Sequence, residues 1–107
     1  MSDANDAVDF IYKNAPIYAK AKADRAYLEE FRKTKKSLLM LASAESSAVM
    51  READAYANPE YQQVQDGIKV AMEQEETLRW QLEAAKLRVE IYRTDSANNR
   101  SIDRAAA

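Results

Sequence analysis

The sequence predicts an all-α fold, a long antiparallel helical hairpin of coiled-coil type with one or two short flanking helices. Three observations predict it. The 107 residues include one Gly and two Pro, too few turn formers for the many turns of a β fold. Apolar residues make up 47% of the chain, are rich in Ala, and recur in steps of three and four, the spacing of one helical face. Charged residues make up 32%, so much of the chain must meet water. Two long helices side by side suit that balance better than a sphere.

The elements follow in order. Asp3 can cap a first helix, about 3–14, carrying Val8, Phe10 and Ile11. Pro16 lacks an N–H and fits the first turn of a helix, so Asn14-Ala15-Pro16 reads as a restart. The second helix, about 16–42, has the seam Ile17, Ala21, Asp24, Leu28, Phe31, Lys35, Leu38 and Ala42, with charged faults at Asp24 and Lys35. Leu38-Leu39-Met40-Leu41 is apolar all round and is expected to lie deepest. Ser43 to Ser47 weakens the helix, because short hydroxyl side chains compete for backbone hydrogen bonds. A short helix, about 47–57, carries Val49, Met50, Ala53 and Tyr56.

Asn58-Pro59-Glu60 is the strongest punctuation in the chain. Asn caps, Pro takes the first helical position and Glu favours the positive helix start. The last helix, about 59–94, has the seam Tyr61, Val64, Ile68, Ala71, Glu75, Leu78, Leu82, Ala85, Val89 and Tyr92. Gly67 costs that helix ~1 kcal/mol relative to Ala. Residues 1–94 are thus read as one helical domain. Residues 95–107, nearly free of large apolar side chains, are read as a flexible tail.

Composition excludes several kinds of chemistry. Cys and His are both absent, which removes disulfides, thiol nucleophiles, His-based catalysis and nearly every zinc or haem site. No alternating Asp/Asn pattern of an EF-hand is present. The chain is read as a non-enzyme without cofactor, metal or small-molecule substrate. The acidic start lacks the positive region and apolar core of a signal peptide. The longest apolar run, Leu38 to Ala42, is far short of the ~20 residues that span a bilayer. No membrane association is expected, and the expected location is the cytoplasm.

The net charge of −2 hides a division between the arms. Eight Lys/Arg stand against three acids from Lys13 to Lys36, and ten acids against five bases from Glu45 to Glu90. In the basic arm, Lys22, Arg25, Arg32, Lys33 and Lys36 share one side, with Tyr18 at its start. Cations that track a phosphate backbone and an aromatic that stacks on bases would make a nucleic-acid site. Alternatively, these cations pair with the acidic arm or face water. Glu73, Glu75, Glu76, Glu83 and Glu90 form an acidic series better suited to salt bridges than to metal binding.

A second apolar stripe, Trp80, Ala84, Leu87 and Ile91, lies roughly opposite the Leu78–Tyr92 seam. Arg79, Glu83, Lys86 and Glu90 fill one polar wedge between them. The stripe either packs against the first or third short helix, or forms a protein interface, with a second copy or another protein as partner. Trp is common among interface anchors. The segment Thr94 to Ser101 either stays a free end or orders on a partner or nucleic acid.

Tyr27 to Lys36, then Glu60-Tyr61, Leu78-Arg79-Trp80 and Ala97-Asn98-Asn99-Arg100, resemble small helical proteins of phages and prophages. That resemblance implies an accessory role on DNA or on a DNA-handling protein in recombination or replication, in the cytoplasm of a bacterial host. It equally allows an inhibitor of a host defence protein. A structural coiled-coil adaptor is the third reading. The resemblance transfers no functional residues.

Overall fold

The computed structural model describes residues 3–106, and all but a few of these are helical. The first two residues of the expected domain and the last of the expected tail lie outside the described residues. The order is α1 (Asp3–Ala42), α2 (Ala48–Ala57) and α3 (Pro59–Ala106), with no strand among the described residues. The fold is all-α, a helical hairpin. Contacts divide it into two compact units: segments 3–19 and 76–106 form the first, and Lys20–Glu75 the second.

In the first unit, Asp6 and Phe10 of α1 share a groove with Gln81, Ala84, Ala85 and Arg88 of α3. Ala4, Ala7, Leu78, Leu82 and Ala85 are buried. The buried residues of α1 are here Ala and those of α3 include Leu78 and Leu82, so the core is thin. In the second unit, Arg25 bonds Glu75 and Lys35 pairs with Glu60 at 3.5 Å. Numbers rise along one helix as they fall along the other, so the two run antiparallel.

The break predicted at Pro16 does not occur, and α1 passes through it. An interior Pro removes the hydrogen bond to the carbonyl four residues back and costs about 3 kcal/mol. Here that carbonyl belongs to Tyr12, which is exposed, as is Pro16 itself, so water can take the lost donor's place. One turn earlier, the Asn14 side-chain amide donates to the Phe10 carbonyl at 2.9 Å. The tail expected from residue 95 is helical as far as Ala106. Its Ala and Arg residues are strong helix formers, and Arg104 in the last turn complements the helix dipole. None of this stretch is buried, and half of its residues are Asp, Ser or Asn, so it extends a helix already formed rather than packing on a partner.

The seam of α1 also differs from the predicted one. In the first unit Ala4, Ala7, Ile11, Asn14 and Tyr18 turn inward, and in the second Ala21, Arg25, Leu28, Arg32, Lys35 and Leu39. Ala21, Leu28, Phe31 and Lys35 were expected inside and are at least half-buried, whereas Ile17, Asp24, Leu38 and Ala42 are exposed. Leu38 and Leu41 are 54% and 80% exposed, so the apolar run at the end of α1 is not the deepest part of the fold. The true seam carries Arg25 and Lys35, whose alkyl stems are covered while their heads reach acids on α3.

Asn58 joins α2 to α3 in one residue. Its N–H donates to the Ala55 carbonyl at 3.2 Å, closing α2, and its side-chain oxygen accepts from the Glu60 N–H at 2.8 Å, opening α3. Pro59 occupies the first position of α3, as the sequence predicts. Ser47 caps α2 by accepting from the Met50 N–H at 3.2 Å. Ala55 of α2 is buried, and the Tyr56 ring meets Tyr61 edge to face at 5.2 Å.

Gly67 sits inside α3 beside Leu28 of α1. A Cβ there would lie 3.9 Å from Leu28 Cδ1, an ordinary van der Waals contact. Gly67→Ala is therefore expected to stabilise the protein by about 1 kcal/mol through helix propensity alone. Urea unfolding followed by circular dichroism will measure it, and a loss of stability would mean that the helices cannot accept the methyl group.

Candidate functional site

The cations expected to bind nucleic acid are largely engaged within the second unit. The Arg25 guanidinium grips Glu75 through both Nε and Nη2, the latter at 3.1 Å, and donates from Nη1 to Glu29 at 3.1 Å. Paired, forked hydrogen bonds of this kind are stronger than single ones. Glu75 first, then Glu29, raise the Arg25 pKa above its ordinary value. The side chains are only 23% and 13% exposed.

Other members of the stripe follow the same course. Lys36 lies 3.4 Å from Glu52 and over the Tyr56 ring at 4.7 Å. Tyr56 first, with help from Glu52, raises its pKa. Lys33 bonds Glu30 at 3.1 Å. Lys22 is exposed and Arg32 is half-buried, and neither forms an ion pair among the described residues. Tyr18, half-buried, belongs to the first unit.

The acidic series is divided in the same way. Glu75 faces Arg25, Glu76 bonds Arg79 at 2.8 Å, Glu83 bonds Lys86 at 3.1 Å and Glu90 meets Arg93 at 3.6 Å. No group of three acids is placed to hold a metal among the described residues. No helix of the described residues is long and apolar enough to cross a membrane.

The second stripe lies wholly in the first unit and remains open. Trp80, Leu87 and Ile91 are 62%, 61% and 60% exposed, and Ala84 is exposed with them. Segment 3–14, the start of α1, leaves the stripe exposed. The opposite face of α3 is the one that turns inward, through Leu78, Leu82, Ala85 and half-buried Val89. Tyr92, expected to end that seam, is exposed. Arg79 lies over the Trp80 ring at 4.5 Å, and Glu76 raises the Arg79 pKa. At the stripe's edge, Ala84 also lines the groove shared with Asp6 and Phe10.

Two features were not singled out in the sequence. One is the Arg25–Glu75 pair. Its signal is Glu75, the sole charged residue in an otherwise apolar seam, which demands a cation opposite. The other is a repeat along one edge of the stripe: Glu76 with Arg79, Glu83 with Lys86, and Glu90 with Arg93. Each pair begins seven residues after the last, so all three fall on one edge of the helix. Comparison with protein-family models, curated proteins and solved structures found no match.

Removing one partner of the Arg25–Glu75 pair leaves a partly buried charge without its counter-charge, whereas replacing both restores an apolar seam. Arg25→Leu and Glu75→Leu singly are expected to lower the thermal midpoint by several degrees. The double variant is expected to recover most of that loss. Thermal melts of all four proteins complete the cycle, and additive losses would show that the two side chains are not coupled.

Proposed function

We propose that this chain is a non-enzymatic accessory protein that acts by binding another protein chain through the Trp80–Ala84–Leu87–Ile91 face. The observation that carries this reading is the exposure of that face: Trp80, Leu87 and Ile91 are large apolar side chains aligned on one side of a helix whose other side is already packed. Contiguous apolar patches of this kind mark interaction sites, and a Trp among them is typical of an anchor. The absence of Cys and His from the sequence supports the non-enzymatic part. The resemblance to small phage proteins suggests the setting, recombination or replication.

Direct DNA binding is disfavoured because Arg25 and Lys36 already have acidic partners on the other helices. Affinity for phosphates comes from cations that are free to displace counterions. Fluorescence anisotropy with single-stranded DNA at low salt is therefore expected to show no salt-dependent binding. A photo-reactive residue at Leu87, introduced in the cell that makes the protein, is expected to crosslink to one identified protein, and the same residue at Tyr12 is not. Salt-dependent DNA binding without a crosslink at Leu87 would overturn this reading.

A further inference from the structure

We infer that the partner of this face is a second copy of the same chain, docked antiparallel about a two-fold axis that passes between Ala84 and Ala85. The inference rests on the docking face proposed above and supplies its occupant. The argument is charge complementarity along both edges of the stripe. One edge alternates acid and base: Glu76, Arg79, Glu83, Lys86, Glu90, Arg93. When the helix is reversed end for end about that midpoint, every acid meets a base. Glu76 faces the second copy's Arg93, Arg79 faces its Glu90, and Glu83 faces its Lys86. Two-fold symmetry makes each pairing occur twice.

The other edge agrees. Gln81 falls opposite the second copy's Arg88, so an amide oxygen meets a guanidinium. In an antiparallel pair of helices, like edges face each other, so both matches form together. A parallel pair would set unlike edges together and would place Glu90 beside the second copy's Asp95. The same reversal fits the apolar side chains. Trp80 lands between the second copy's Leu87 and Ile91, and small Ala84 lies at the axis, where the helices come closest.

The cations are available for this exchange. Glu76–Arg79, Glu83–Lys86 and Glu90–Arg93 are exposed pairs one helical turn apart, with side chains 42% exposed or more. Pairs of that kind contribute little to the helix itself, so exchanging them for contacts across the axis gives up little. The contact runs from Glu76 to Arg93, about 27 Å of helix at 1.5 Å per residue. One helix on one helix over that length buries less than the ~800 Å² per partner of a standard interface. The dimer is accordingly weak, concentration-dependent and sensitive to salt.

Sedimentation of the full chain over a concentration series tests the inference. The unaltered protein is expected to pass from monomer to dimer. Trp80→Gln/Leu87→Lys is expected to weaken association by at least about tenfold with helical circular dichroism unchanged. A basic-edge variant (Glu76→Lys, Glu83→Lys, Glu90→Lys) and an acidic-edge variant (Arg79→Glu, Lys86→Glu, Arg93→Glu) should each be monomeric alone and should form a mixed dimer together. Because the chain has no Cys, single cysteines report the register on a folded background. Ala84→Cys is expected to give a disulfide-linked dimer on mild oxidation, and Thr77→Cys is not. A Thr77→Cys crosslink would overturn the antiparallel arrangement. A dimer that survives Trp80→Gln/Leu87→Lys would place the contact elsewhere. A protein that stays monomeric at every concentration overturns the self-association, while a Leu87 crosslink to a different protein in cells would leave the docking face standing.

Discussion

A helix packed against one partner buries one stripe, and the structure depends on that constraint. The fully inward residues of α1 and α3 are few, and many are Ala. No large side chain among the described residues is completely enclosed. With so thin a core, stability comes from close approach of the helices and from polar groups that are satisfied at the seam, not from a central cluster of large residues. Arg25 and Glu75 show how this works. A charge at an inward position of a two-helix unit is tolerable only when its counter-charge comes from the other helix, and the forked Arg geometry supplies both bonds at once. The sensitivity to mutation is therefore concentrated in seam residues whose partners are specific, and is low over the remaining charged surface.

The helical class was legible because nothing in the composition competes with it, and the start of α3 was legible because Asn58-Pro59-Glu60 signals in three ways at once. The seam of α3 was read nearly correctly since it is apolar at almost every position. The seam of α1 was misread by about one residue. Apolar periodicity is a poor guide where the inward positions are Arg25, Arg32 and Lys35, because hydropathy ranks these residues as outward while their stems can be covered. Ile17, Leu38 and Ala42 fit the apolar period instead, and the structure leaves them exposed. Pro16 misled for a different reason. It weakens a helix locally, but a helix held on both sides and exposed at that point can continue through it.

The candidate site was legible as a pattern but not as a surface. Period alone shows that Trp80, Ala84, Leu87 and Ile91 share a face. It cannot show whether a short helix of the same chain lies across them. The structure answers that, since the inward face of α3 is the opposite one. The basic stripe shows the converse. Its residues share a side of α1 as the sequence implies, but Arg25 and Lys36 find partners on α3 and α2. Glu75 and Glu52 reach Arg25 and Lys36 only after the fold has brought α2 and α3 alongside, and no local reading of α1 contains that information.

These two outcomes bear on each other. In an interaction protein the groups that end up satisfied within the monomer set its shape, and the groups left unsatisfied set its partner. Here Arg25 and Lys36 of α1 belong to the first class and the Trp80 face to the second. A phosphate backbone would have to draw Arg25 away from two carboxylates, one of them mostly buried, and would leave Glu75 without its cation at the seam. A second apolar helix would meet no such opposition. It would cover side chains that water now surrounds and would exchange exposed pairs within one helix for pairs between two. The lower-cost association is the one that leaves the seam intact, which is why the apolar face and its alternating edge, rather than the basic stripe, define the chemistry of the partner.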